Sequence, residues 1–354
     1  MIRPFSAIAS LAFATAAFAQ APTDRVNYRG PDGKVLVITG EAKESASGVT
    51  VVGSDKKETK IPAGSMVRIE YGDGNVPGID RNAQVVAIAA EAGTDIPKAI
   101  AAYSTLLKTS TSPKAKRYAG FRELMLSVKD NDQKTGDDFK KNAAALAARC
   151  IAFANEQKSS WEAWIVARTG ARIYGEIGDH KNASAAARVL TTSTTLSADM
   201  KTEAKFLELA YVFREGDYPA ARLLQAEVAK DAANPGQADR AKMYDIALKV
   251  LPAKAAAGAD PVKPTEAIAA LEKALSDSKD PVARACGYAI LGELFIAYKS
   301  YREAMWSYLW VDAVYNQDRD DQVKAVARLI EIFEQLKEKE RSEQFVERLP
   351  KIRS

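Results

Sequence analysis

The sequence predicts a mainly α-helical protein, a solenoid of about seven antiparallel helix hairpins preceded by a small all-β domain. Three observations carry this expectation. Alanine-rich, helix-periodic stretches recur along most of the chain at intervals of roughly 34 to 40 residues. Ahead of them lie short runs rich in Val, Ile and Thr, broken by Gly, Asp, Lys and Ser, which is the pattern of strands and turns. Between the two stands Gly72-Asp73-Gly74-Asn75-Val76-Pro77-Gly78, whose composition is that of a linker. The expected organisation is therefore a leader over residues 1–19, a β-barrel-like domain over 20–72, a linker over 73–79 and the solenoid over 80–354.

The leader rests on Arg3, an Ala- and Phe-rich apolar stretch, and the closing Ala17-Phe18-Ala19, which together form a secretory signal with an A-x-A cleavage site. The mature chain is then exported, periplasmic or secreted, and starts at Gln20. The alternative, an uncut membrane anchor, requires a longer apolar span than this stretch offers. No other segment reaches about 18 uninterrupted apolar residues, so no stable membrane insertion is expected after leader removal. No Cys follows the leader to carry a lipid. With 47% hydrophobic and 27% charged residues, the 354-residue chain has the composition of a soluble globular protein. Its formal charge of +4 is spread without large one-sign blocks, which argues against a nucleic-acid partner.

In the first part, strands are expected over residues 25–28, 34–40, 48–52, 59–61 and 66–71, with Gly30-Pro31-Asp32-Gly33 as the first turn. In the last of these, Val67, Ile69 and Tyr71 alternate with Arg68 and Glu70, the period-2 signature of a half-buried strand. This arrangement resembles SH3-like and Sm-like barrels. It lacks the aromatic groove of a proline-peptide reader, having only Tyr28 and Tyr71, so an accessory or capping module is the expected role.

In the second part the clearest repeat runs Tyr288-x-x-Leu291-Gly292-x-x-Phe295, then Tyr301-x-x-Ala304-x-x-x-Tyr308-x-x-Val311. This spacing resembles the tetratricopeptide repeat, with aromatic residues standing in for its Trp and Phe. Small Gly292 and Ala304 let two antiparallel helices touch, while Leu291, Phe295, Tyr308 and Val311 fill the space between them. Fainter copies place Ala171, Tyr174, Gly178-Asp179 and Ala183, and then Leu209, Ala210, Phe213, Gly216-Asp217-Tyr218 and Ala221, in the same roles. A last copy through Val326, Leu329, Phe333, Ser342, Val346 and Leu349 has lost its small residue and its glycine turn, as a terminal cap with a polar outer face would. Pro113 and Pro281 begin new repeats. About fourteen helices are expected in all.

Catalytic signals are weak. His180 is the only histidine and stands where other copies carry a turn aromatic, so it is read as structural. Asp137-Asp138 and Asp320-Asp321 are read as helix-start acids. There is no glycine-rich phosphate loop and no nucleophile elbow, so no cofactor is expected. Cys150 and Cys286 are expected as buried free thiols, because repeats that touch only their neighbours keep them too far apart to bridge.

The expected function is that of a non-enzymatic scaffold binding a protein or peptide; a cell-envelope enzyme or glycan-binding protein is the alternative. The tetratricopeptide resemblance implies a concave groove lined by the first helix of each hairpin, here Arg168, Arg172, Tyr211, Arg214, Glu293, Lys324 and Glu331. That groove is mixed in charge and lacks a matching Asn for the family's carboxylate grip. The second candidate is Trp306 and Trp310, four apart on one helix face. The simpler expectation packs this pair against the following repeat; the alternative leaves it exposed as an anchor for a partner.

Overall fold

A computed structural model of the protein describes residues 24–30, 34–72, 76–251 and 264–353. The expected leader, the turn residues 31–33 and linker residues 73–75 lie outside the described residues.

The β part contains five antiparallel strands: β1 (Asp24–Arg29), β2 (Val35–Ser45), β3 (Gly48–Val52), β4 (Glu58–Pro62) and β5 (Met66–Glu70), in the order β4-β3-β2-β1-β5. The eleven-residue β2 pairs with β1 through its first half and with β3 through its second, and so links the two halves of the sheet. Asp24 ties the ends together, accepting from the backbone N–H of Ala42 at 3.0 Å and of Gly72 at 2.9 Å. The expected alternation in β5 is only partly met. Met66 and Ile69, three apart, are buried, because the β1–β5 register shifts between Asn27 and Tyr28. Such a bulge offsets the two-residue period.

Fourteen α-helices follow among the described residues. They are α1 (Arg81–Ala92), α2 (Ile96–Thr109), α3 (Pro113–Asp132), α4 (Gly136–Glu156), α5 (Trp161–Glu176), α6 (His180–Thr191) and α7 (Ala198–Glu215), then α8 (Tyr218–Asp231), α9 (Pro235–Val250), α10 (Thr265–Asp277), α11 (Pro281–Ala297), α12 (Tyr301–Ala313), α13 (Arg319–Gln335) and α14 (Lys339–Arg353). None is long and apolar enough to cross a membrane. Successive helices pack against one another along the chain. The starts are set locally. Asp80, Asp95, Ser112, Asp179, Ser197, Asp217 and Asn234 each cap the following helix with a side-chain oxygen, and Pro113 and Pro281 occupy first-turn positions that need no N–H.

Hairpin turns need one residue in the left-handed region. Gly178 (φ 79°) and Gly216 (φ 82°) supply it before α6 and α8, and Lys299 (φ 56°) and Lys337 (φ 60°) occupy the same conformation before α12 and α14. Within the α11–α12 hairpin, Leu291, Phe295, Ala304, Tyr308 and Val311 are all buried. A Cβ on Gly292 would lie 2.6 Å from the Tyr308 ring, so the close approach inferred from the sequence is real.

One expectation is corrected. The helices do not touch only their sequence neighbours: the array curls until α13 meets α5 and α14 meets α3. The C-terminal helix keeps a polar outer face but is tied back at its end, where Arg353 is buried, donating to Glu176 Oε2 at 2.7 Å and to the Lys134 carbonyl at 3.1 Å, with its guanidinium 3.8 Å from the Phe139 ring centre. Arg168 completes the closure from α5, reaching Asp318 at 2.8 Å and Asp320 at 3.2 Å. These contacts span 150 residues and more of sequence.

The sheet is attached to this array by both apolar and ionic contacts. Its core residues Val26, Val49, Val51, Ile61 and Met66 belong to one cluster with Phe121, Phe139, Trp161 and Trp164 of the helices. Glu44 of β2 accepts from Arg117 and from the Tyr71 hydroxyl (2.9 Å), while Arg117 also reaches Glu162 at 3.1 Å. Cys150 and Cys286 are both free thiols; Cys150 is buried and Cys286 partly exposed.

Candidate binding groove and the closed concave face

On α12 the helical period sorts the side chains into two stripes. Ala304, Met305, Tyr308 and Val311 point inward, and Trp306 and Trp310 fall on the adjoining outer stripe. Trp306 is 62% exposed and Trp310 45%, so the expectation that the pair packs against the following repeat is overturned and both indoles face solvent. The following hairpin is instead held to α12 at Asp312, which receives a bidentate bond from Arg348 of α14 and a 3.0 Å bond from Gln322 of α13.

The exposed pair belongs to a groove of about 650 Å³ on the outer surface, formed by α10, α11, α12 and the residues just after α12. Trp310 stacks on Tyr288 of α11 (5.7 Å between centroids, 16° between planes), and Tyr315 stacks on the same Tyr288 (5.4 Å, 21°). Tyr315 is brought back over the helix end by its backbone N–H, which donates to the Trp310 carbonyl at 3.1 Å. Arg284 holds the far side, giving its Nε–H to the Ser278 carbonyl (2.7 Å) and Nη1 to the Tyr315 hydroxyl (3.3 Å). Leu275, Leu291 and Phe295 form the floor, and the exposed carboxylates Glu272 and Glu303 stand at the rim. Flat ring faces beside carboxylates suit a ligand bearing apolar rings or cations. Sequence reasoning singled out Trp306 and Trp310, with Tyr315 in the same aromatic cluster, but not Tyr288 as the ring on which Trp310 and Tyr315 stack, because Tyr288 entered only as the aromatic position that opens the repeat.

The predicted concave residues lie on or near the inner face of the ring, where most are paired. Arg172 is 6% exposed and bonds Asp132 (2.8 Å) and Glu176 (2.5 Å). Tyr211 is 1% exposed, packed against Gly175 and beneath the Lys324 ammonium at 5.7 Å. Glu293 is the centre of a second network: it accepts from Arg328 Nε at 2.8 Å and Nη2 at 2.7 Å and from the Tyr308 hydroxyl, with Arg214 Nε 3.3 Å away. Burial alone would raise its carboxyl, but Arg328 and Arg214 outweigh that and hold it below the usual carboxylate range. Glu331 pairs with Arg328. Asp318, with Arg168 and Lys324 beside it, is held far below the ordinary range for the same reason. His180 lies against this network, stacked on Tyr211 at 6.4 Å, and burial together with Arg214 and Arg328 pushes its pKa down to about 4.

No protein-family model matches the chain, and no curated protein matches it in sequence.

Proposed function

We propose that the protein is a non-enzymatic, exported scaffold of tetratricopeptide type that engages a protein partner through the outer aromatic groove rather than through the concave face. The observation that carries this reading is the pair Trp306 and Trp310, both exposed to solvent in one groove, with Trp310 stacked on Tyr288. Solvent-facing tryptophans cost solubility, and Trp and Tyr are the residue types that dominate binding energy at interfaces. The rim carboxylates Glu272 and Glu303 favour a segment bearing Lys, Arg or Pro, whose charges or ring faces lie well on Trp and Tyr. The tetratricopeptide assignment is supported by the spacing from Tyr288 to Val311 and by the burial of the residues that spacing selects; the export assignment is supported by the A-x-A leader. The β domain then acts as an accessory that braces α3 and α5 through Glu44 and Trp164.

The test is a crosslinking pull-down of the mature protein from its native compartment, with wild type beside the Trp306→Ala/Trp310→Ala double variant. The variant keeps its helical content and melting temperature, because neither indole fills the core, and loses the crosslinked partner. Retention of the same partner by a folded double variant sinks the reading. A second reading, a glycan ligand, draws on the same stack, since flat aromatic faces also suit sugar rings. It is separated by protease treatment of the captured material, which destroys a protein partner and leaves a glycan.

A further inference from the structure

The closure of the ring leaves a chamber inside it. Five first helices, α5, α7, α9, α11 and α13, surround a space of about 210 Å³, with Tyr308 and Val311 of α12 completing the wall. Its apolar lining includes Phe206, Leu207, Phe213, Ile290 and Val311, contributed by three different helices. By comparison, an apolar cavity of about 150 Å³ is large enough to hold benzene.

The charges on the wall decide what chemistry it can take. Four cations and four carboxylates line it, and each is matched by another: Arg168 with Asp318, Arg214 with Glu293, Arg240 with Glu203 and Lys324 with Asp321. A charged ligand would have to break one of these pairs or face the carboxylate or cation beside it, whereas a neutral one disturbs none. One donor is nevertheless left over. The Arg240 guanidinium lies over the Phe206 ring at 4.1 Å with both Nη atoms on Glu203, and its buried Nε–H has no acceptor. A buried donor without an acceptor is costly, and a ligand acceptor relieves that cost.

We propose that this chamber is a binding site for a small uncharged molecule with an apolar body, about the size of a substituted benzene ring, and one hydrogen-bond acceptor for an arginine Nε–H. The site is separate from the outer aromatic groove.

Acetophenone, ethylbenzene and benzoate share size and differ in the two features that matter, acceptor and charge. Calorimetric titration of the full mature chain gives saturable one-to-one binding of acetophenone, weaker binding of ethylbenzene, and binding of benzoate weaker by about tenfold or more. Ala289→Phe and Ala210→Leu each fill the chamber and abolish acetophenone binding, while Trp306→Ala/Trp310→Ala retains it. Cys286 gives a readout on the unaltered protein: it lines the chamber, its thiol is pushed up to about 11 by burial, and its slow alkylation by iodoacetamide at alkaline pH is retarded by acetophenone. Buried Cys150 is the internal reference. Absence of saturable acetophenone binding, binding unchanged in the filled variants, benzoate binding as tightly as acetophenone, or Cys286 alkylation unaffected by acetophenone each overturns the proposal.

Discussion

Because His180 is the only histidine in the chain, its protonation can be followed through stability alone. Its ring is buried against Tyr211, its Nδ1 has no hydrogen-bond partner, and Arg214 and Arg328 lie nearby, so the charged form is disfavoured three ways. The folded-state pKa is pushed down from 6.5 to about 4. In the window between these values the unfolded chain binds a proton that the folded chain refuses, so stability falls as pH falls. At about 1.36 kcal/mol per pH unit of difference, acidification from pH 7 to pH 5 removes roughly 2 kcal/mol through this one group. The buried carboxylates Glu162 and Glu176 are shifted upward, chiefly by burial, and oppose this trend, since the folded state then binds protons more readily than the unfolded one. The informative quantity is therefore the difference between wild type and His180→Phe, which keeps a ring against Tyr211 and cannot titrate. Urea unfolding of both proteins at pH 7, 6 and 5 gives the gap directly. Wild type loses about 2 kcal/mol relative to the variant on going from pH 7 to pH 5. Parallel pH dependence of the two proteins would refute the placement of His180 as a buried neutral ring.

Two further perturbations test the closure and the turns. Arg353→Ala removes the C-terminal partner of buried Glu176 but leaves Arg172 bonded to it, so the cost falls near the low end of the buried-pair range, about 3 kcal/mol, read as a lower thermal midpoint; an unchanged midpoint would show that the closure contributes nothing. Lys337→Gly relieves a left-handed conformation at φ 60° that costs a side-chain-bearing residue about 1–2 kcal/mol, against a glycine entropy cost of about 0.5–1 kcal/mol, so the variant is stabilised by roughly 0.5–1 kcal/mol in urea unfolding, and a destabilised variant contradicts the turn geometry.

Local features were legible in the sequence because their causes are local. The Gly178-Asp179 and Gly216-Asp217 turns, the prolines that open α3 and α11, and the Gly292–Tyr308 contact each depend on residues within one hairpin, and each stands where the pattern put it. The strands were found within a few residues for the same reason, although β2 runs on to Ser45 because its second half pairs with β3, which no short window reveals. Trp306 and Trp310 could be placed on one helix face, but not inside or outside, since that depended on which residues α13 and α14 offered to α12. Closure was beyond reach. Arg168 meets Asp318, and Arg353 meets Glu176, only after the accumulated curvature of several hairpins, and that curvature follows from small packing angles that a hydrophobic period does not record. Of the residues expected on the concave face, Arg168, Arg214, Glu293 and Lys324 line the inner space, and their mutual pairing was unseen for the same reason.

The closure also supports the proposed outer surface over the concave one. To lie along the concave face, a peptide must first separate α13 and α14 from α5 and α3. That breaks the buried Arg353–Glu176 pair, at about 3–5 kcal/mol, and the partly exposed Arg168–Asp318 pair, at about 1 kcal/mol. A micromolar complex releases only about 8 kcal/mol, so a peptide that would otherwise bind at that level is left with about 2–4 kcal/mol, at or below millimolar affinity. The outer groove imposes no such cost, because Trp306 and Trp310 are already exposed and the Tyr288 stack beneath Trp310 is already ordered. The same pairs that shut the concave face against a chain of residues leave inside it a space of about 210 Å³, lined by apolar side chains and matched ion pairs, the right scale for a small molecule and too small for a peptide strand. On the two proposals made above, ring closure leaves the outer groove as the surface for a macromolecular partner and the inner space for a small molecule.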